Sequence, residues 1–322
     1  MVKGMRPIDA PKFQYNGGKA NLRRFIVRWM RHQGSSYVEP FVGRGNCFFL
    51  MRTISEFSRW HINDIRTVPL YEAIMKYDGR DLPDVPAGTV FEEWLPTADP
   101  IHARLLEPLL CWSGGSYETS TKAYPAAGRL MNKYRENLLR AQECLSGVRV
   151  TSFDALECLS EYINDPDAVV YLDPPYKGAS VSAYSDKDVD WGMLYSLLTR
   201  ARCSWYMSEY QYSEHDYVLG EPKVRFHTKV QASGRSKPAV EVLYSNQQLH
   251  RPCVLDFGES VRSPASTRSL YKEGEVLTQD EVYARMPKHW HPDNFKIEFN
   301  ILQKHPNVYF DGRLVHFLIG YK

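Results

Sequence analysis

Apolar residues run without a break through residues 168–172, Ala-Val-Val-Tyr-Leu. That is the pattern of a parallel strand covered on both faces. Shorter strand-like runs precede and follow it at 36–41, 59–64, 148–153 and 203–208. Between them lie stretches of helical character at 46–52, 68–76, 101–112 and 126–145. Strands alternating with helices predict an α/β fold with a doubly wound, Rossmann-like sheet. Residues 224–230 and 240–245 flank a polar stretch and predict a terminal antiparallel pair. Residues 78–100 are rich in Pro, Asp and Gly, break the alternation and read as part of an insertion. A Ser/Gly/Tyr/Thr-rich loop at 113–121 separates two of the helices.

The pattern changes after about residue 249. Residues 263–267, Ser-Pro-Ala-Ser-Thr, resemble a linker. Thr278 and Glu281 have the spacing of a capping box at a helix start, and Asp293 could cap another helix. Asp311-Gly312 between two apolar runs predicts a hairpin. The expectation is a small α+β appendage over 250–322, possible as a winged-helix-like unit and equally as a structural addition.

Composition narrows the class. No stretch approaches the roughly 18 consecutive apolar residues of a membrane span. The N-terminus shows no apolar leader, which predicts a cytoplasmic location. The six cysteines are scattered without a C-x-x-C pair, so neither a thiolate metal site nor a disulfide framework is expected. A net charge of +2 says little about partners. Its distribution says more: residues 222–240 hold no acid but contain Lys223, Arg225, Lys229, Arg235 and Lys237. Such a segment is either a solvated basic loop or a contact for a polyanion.

Three motifs carry chemistry. Glu39-Pro40-Phe41-Val42-Gly43-Arg44-Gly45 stands between a strand and a helix, where glycine lets the backbone approach a ligand. Asn63-Asp64 ends the next strand, a place where a carboxylate suits a ribose diol or caps a helix. Asp173-Pro174-Pro175-Tyr176 directly follows the buried strand. Its prolines stiffen the backbone and remove two N–H donors. A carboxylate and a free carbonyl are thereby left beside an aromatic face. That set can accept both N–H bonds of an amino group on a planar ring and stack on the ring; the plainer alternative is a rigid turn.

In order, these motifs resemble the D12-class, Dam-like DNA adenine N6 methyltransferases. Tyr15-Asn16-Gly17-Gly18-Lys19 is similar to that family's first element, and Ser233-Gly234-Arg235-Ser236-Lys237 before Val240-Glu241-Val242-Leu243-Tyr244 to its last. The likeness runs from about residue 13 to 246. It implies S-adenosyl-L-methionine as cofactor and S-adenosyl-L-homocysteine as product. Tyr15, Lys19, Glu39, Pro40, Phe41, Gly43, Gly45, Asp64, Phe153, Asp154 and Asp173 would form the cofactor site. Lys19 would lie near the cofactor carboxylate, Asp64 at the ribose and Phe153-Asp154 at the adenine. Lys19 as a surface lysine and Asp154 as a helix cap remain open. Asp173, Pro174, Pro175 and Tyr176 would hold the target amine.

The resemblance further implies double-stranded DNA as partner, with base flipping, no metal, and a bacterial or phage setting. Ser113, Tyr117, Lys122, Lys223, Arg225, Lys229, Arg235 and Lys237 are the DNA-contact candidates. Residues 11–66 and 146–249 would form the catalytic domain and 67–145 a target-recognition insertion, in a monomer with a dimer left open. The insertion departs from the family pattern, so the recognition sequence is not legible. N4-cytosine methylation, and a non-catalytic DNA-binding protein on the same fold, stay as alternatives.

Overall fold

The computed structural model describes residues 5–14, 18–111, 115–124, 131–177, 180–181, 184–185, 189–232 and 235–249, with three short strands beyond them. The chain enters through α1 (Arg23–Ile26) into β1 (Gln33–Glu39), α2 (Asn46–Ile54), β2 (Glu56–Asn63) and α3 (Val68–Lys76). There follow α4 (Phe91–Trp94), α5 (Pro100–Leu110) and α6 (Met131–Leu145), then β3 (Arg149–Thr151), α7 (Ala155–Ser160) and β4 (Ala168–Leu172). A two-stranded piece, β5 (Ser180–Val181) and β6 (Tyr184–Ser185), precedes α8 (Trp191–Arg200), β7 (Ser204–Tyr210) and α9 (Ser213–Leu219). The antiparallel pair β8 (Val224–Ala232) and β9 (Arg235–Ser245) completes the main sheet.

Seven strands lie in the order β3-β2-β1-β4-β7-β9-β8. β3, β2, β1, β4 and β7 are parallel, and β9 runs antiparallel to both β7 and β8. The doubly wound reading therefore holds, including the terminal antiparallel pair. Winding moves outward one way from β1 through β2 to β3 and the other way from β4 to β7. The loops after β1 and β4 thus part at the carboxyl edge, the place where open α/β sheets form a ligand crevice.

The alternation of side chains along the central strands builds two cores. Tyr37, Val169 and Tyr171 face one cluster, filled by Phe48 and Phe49 of α2, Ile74 of α3, Leu105 of α5 and Leu138 of α6. Val38, Val170 and Leu172 face the other, filled by Leu159 of α7 and Leu194, Leu197 and Leu198 of α8. A strand buried on both faces has no polar position to spare, which is why β4 reads as an unbroken apolar run.

Several boundaries differ from the sequence expectation. The stretch 78–100 is not only loop: it forms α4 and contributes Leu82, Val85 and Phe91 to the core. Residues 235–239 belong to β9 and residues through 232 to β8, so the basic segment is strand rather than loop. Pairing with β7 ends at Tyr210↔Glu241, whereas β8 and β9 stay paired on to Ala232↔Arg235. Residues 235–240 of β9 therefore continue past the carboxyl end of β7 as a two-stranded ribbon, roughly 20 Å long at about 3.3 Å per residue.

In the C-terminal part, β11 (Val308–Phe310) pairs antiparallel with β12 (Leu314–Phe317), and β10 (Val276–Thr278) adds to β12; Asp311-Gly312 lies outside the described residues. Thr278 ends a strand; Glu281, Asp293 and the helices expected there lie outside the described residues. No helix among the described residues is long and apolar enough to cross a membrane.

Candidate active site

The loop after β1 is built before any ligand is considered. Gly43 and Gly45 both take left-handed backbone angles, with φ of 52° and 70°. A Cβ on Gly45 would stand 2.8 Å from the Tyr71 hydroxyl and 2.9 Å from the Phe49 ring, so a side chain is excluded on two counts. Val42 N–H donates to the Asn63 carbonyl at 3.0 Å, and the Tyr71 hydroxyl donates to the Gly43 carbonyl at 2.8 Å. Arg44 is buried and donates to the carbonyls of Gln14 (2.7 Å) and Gly115 (2.8 Å), joining the loop to the N-terminal segment and the insertion.

Asn63 joins the ends of three strands. Its Nδ2 donates to the carbonyls of Pro40 and Phe153, each at 3.0 Å. Its Oδ1 accepts from the Thr151 hydroxyl at 2.7 Å and from Phe153 N–H at 2.8 Å. Asp64 is equally committed. Oδ2 accepts from Gly43 N–H at 3.0 Å, and Oδ1 from Arg66 N–H at 2.8 Å and Thr67 N–H at 3.0 Å. Burial raises its pKa against those three bonds, which pull it down. Asp64 therefore braces the loop and leads into α3. Asp154 caps α7, accepting from Leu156 N–H at 2.8 Å, the alternative the sequence left open. Ile65 and Phe153 stand exposed beside these braces, at the ends of adjacent strands.

Asp173, the first residue after β4, faces Lys19. The Lys19 ammonium is 2.7 Å from Asp173 Oδ1, 3.6 Å from Glu241 Oε2 and 4.7 Å from the centre of the Tyr176 ring. Burial works against the Lys19 charge, but the two carboxylates outweigh it and hold the ammonium above its ordinary pKa. Burial lifts Asp173 to about 6; Lys19 opposes the lift, while Glu241 and Glu209 add to it. The Tyr176 hydroxyl donates to Glu241 Oε2 at 2.8 Å, and its ring meets Tyr210 edge-on at 4.7 Å between centres. Glu39, buried at the end of β1, accepts from the Tyr37 hydroxyl at 2.6 Å, and burial carries its pKa far upward.

The structure thus unites Lys19, Glu39, Asp64, Asp173 and Tyr176 along one edge of the sheet. The Lys19 ammonium lies in the cup formed by Asp173, Glu241 and Tyr176. Tyr117, expected at a DNA surface, packs against Phe91 at 4.7 Å and donates its hydroxyl to the Ala103 carbonyl. Its ring completes an aromatic cluster inside the insertion, since an exposed ring would leave Phe91 and Trp94 uncovered. Lys122 and Lys223 are exposed, and Arg225 is partly neutralised by Glu221 at 3.3 Å. Tyr15 and Ser113 lie outside the described residues, as do the side chains of Lys229, Arg235 and Lys237.

Glu241, Glu209 and Tyr210 were not singled out from the sequence. The available signal was an acid inside a strand: Glu241 interrupts an apolar run, and Glu209 follows the buried Ser208.

Comparison with known proteins agrees with the geometry. Residues 15–93 match the family model of the D12 class N6 adenine-specific DNA methyltransferases. No curated protein matches the chain. Among solved structures, a proposed RNA methyltransferase from Pyrococcus horikoshii is similar over 76% of this chain and 89% of its own, at 10% identity and a TM-score of 0.34. An rRNA methylase from Streptococcus thermophilus is similar over 71% and 98%, at 11% identity and a TM-score of 0.29. A proposed methyltransferase from Streptococcus mutans, solved with S-adenosylhomocysteine, is similar over 71% and 98%, at 9% identity and a TM-score of 0.31.

The match over residues 15–93 supports a methyltransferase that uses S-adenosylmethionine. The particular family that the chain resembles is the D12 class, over the segment holding Lys19, the β1 loop and Asp64. The residues present fit that cofactor. Exposed apolar faces at Ile65 and Phe153 suit a flat adenine. The Asp173 carboxylate at the crevice suits a cationic sulfonium better than a pyrophosphate.

Proposed function

We propose that the chain methylates the N6 amine of adenine in double-stranded DNA, with the base turned out of the helix. The observation that carries this reading is the cup around Asp173. An N–H donor, the Lys19 ammonium, already sits 2.7 Å from the carboxylate and over the Tyr176 ring. The amine of a planar base makes the same two contacts once Lys19 withdraws.

Bound S-adenosylmethionine supplies an electrophilic methyl group on sulfur. The residues of this chain do the rest. Asp173 and the Pro174 carbonyl accept the two amine hydrogens, which turns the nitrogen lone pair out of the ring and toward the methyl. Tyr176 stacks on the base, its tilt held by Glu241. The N–C bond forms as the S–C bond breaks, and the amine proton leaves to Asp173 or to water. Holding both reactants in line supplies much of the acceleration, and no residue becomes covalently attached.

The ribbon of β8 and β9 carries Lys229, Arg235 and Lys237 beyond the edge where Asp173 opens, a position suited to duplex phosphates. Residues 67–145 are assigned to target recognition, with Lys122 on their exposed side, and 250–322 to supplementary DNA contact.

The test is incubation with labelled S-adenosylmethionine and duplex DNA, followed by nucleoside analysis. N6-methyladenine is the expected product. N4-methylcytosine, or label only in RNA, would overturn the assignment. Full activity in Asp173→Ala would overturn the site.

A further inference from the structure

Behind the Asp173 cup lies a second carboxylate that the proposed mechanism does not use. Glu209 is fully buried at the end of β7. Its Oε2 accepts from the backbone N–H of Lys177 at 3.0 Å, and its Oε1 from the backbone N–H of Tyr210 at 2.7 Å. Lys177 is the residue after Tyr176, and Tyr210 carries the ring that meets Tyr176 edge-on. One side chain therefore ties together the backbones behind both aromatic walls. Buried His215 approaches from α9, with Nε2 3.7 Å from Glu209 Oε2 and Nδ1 2.8 Å from the Tyr195 hydroxyl. A carboxylate held without water in this way is costly unless its bonds matter to the fold or the site.

We propose that Glu209 is the positioning residue of the base site, a clamp that fixes the Tyr176 and Tyr210 rings in contact with each other and so sets the Tyr176 face on which a planar amine substrate stacks. The inference rests on the methyltransferase reading for its catalytic consequence, but not for the clamp itself. The tilt of the Tyr176 ring against Tyr210 depends on where residues 176 and 210 are held. Tyr210 is the last residue of β7 and pairs with Glu241 of β9, whereas β4 ends at Leu172, so the Glu209 bond to Lys177 N–H is what ties the Tyr176 loop back to β7. The charge of Glu209 has a second effect. Beyond burial, Lys19 from the N-terminal segment, Glu241 from β9 and Glu209 from β7 act on Asp173, and Glu39 from β1 feels its charge in turn. Of these, Glu209 and Glu241 raise its pKa.

The experiment has two arms. The first is amide hydrogen exchange without substrate. In the wild-type protein, Lys177 and Tyr210 amides should be as protected as the interior of β7, and in Glu209→Gln at least one should exchange about tenfold faster or more, because an amide side chain has one acceptor oxygen for two donors. Rapid exchange of both in the wild type would overturn the clamp, with no variant needed.

The second arm is the pH profile of methyl transfer. Glu209→Gln should lower kcat by about tenfold to a hundredfold, leave S-adenosylmethionine binding within about twofold, and move the acidic limb to lower pH. Glu209→Asp keeps the charge with a shorter reach, so it should lose kcat with the limb in place. A wild-type kcat in Glu209→Gln, or an unmoved limb, would overturn the positioning role. Wild-type protein that protects both amides yet methylates no DNA would leave the clamp standing and reject the proposed function, which keeps the two failures apart.

Discussion

Lys19 and Asp173, far apart in the chain, form a buried ion pair of 2.7 Å at the mouth of the crevice between β1 and β4. Its environment is crowded with acids, since Glu241 and Glu209 both push the Asp173 pKa upward while Lys19 alone pulls it down. The pair therefore sets the ionisation of the group on which the proposed chemistry depends.

Asp173 at about 6 gives the first prediction. Amine polarisation needs the carboxylate, so kcat/KM, which reports the free enzyme, should fall as pH drops through about 6. Lys19→Gln removes the stabilising cation, raises the Asp173 pKa and should move the acidic limb to higher pH. Glu241→Gln removes a like charge and should move it to lower pH. Values of kcat/KM between pH 5 and 8 check both directions.

Asp173→Asn keeps the shape of the side chain but loses the charge. Methyl transfer should fall by roughly 10²–10³, the range for removing one preorganised polar contact to a transition state. Cofactor binding, measured by calorimetry, should change little. Loss of cofactor binding together with activity would show that Asp173 serves the cofactor rather than the amine.

Asp64 accepts three backbone N–H bonds. Asp64→Ala should destabilise the chain by about 2–3 kcal/mol, because buried donors lose their acceptor. Asp64→Asn should lose less, since one oxygen still serves Arg66 and Thr67. Denaturant unfolding in the absence of cofactor measures this bracing role apart from any contact with ribose.

Charge on the ribbon should show in salt dependence. Replacing Lys229, Arg235 and Lys237 with Gln should weaken duplex binding and reduce the slope of log K against log salt by about 3, near 0.9 for each lost phosphate contact. Binding titrations at several salt concentrations give the slope; an unchanged slope would remove the ribbon from the DNA surface.

Much of the scaffold was legible. Residues 168–172 and 68–76 were read at the bounds that β4 and α3 occupy, because an unbroken apolar run and a clear helical period leave little competition from other elements. The sequence pattern marks strands at 224–230 and 240–245 but not residues 231–239 between them, because Lys237 and Pro238 carry no apolar alternation; the extra strand length exists through pairing of β8 with β9, which a single stretch does not reveal. Tyr117 was misplaced for a related reason. An aromatic in a polar loop resembles a surface contact until Phe91 and Trp94 are known to lie beside it. Lys19, Asp64 and Asp173 were identified by motif, yet their partners were not. Glu209 and Glu241 each stand alone in the sequence, and only the neighbouring strands make them part of the site.

The bonds of Asn63 have a consequence for how this protein could diversify. One amide joins the turns after β1, β2 and β3 into a single unit, and none of its bonds reaches the 67–124 region or the ribbon. The turns proposed to hold the methyl donor thus keep their shape through bonds of their own, with Arg44 as a link to the insertion. Under the proposed function, grafts that exchange the ribbon or parts of the insertion outside the Arg44 contact should alter target preference while donor affinity persists.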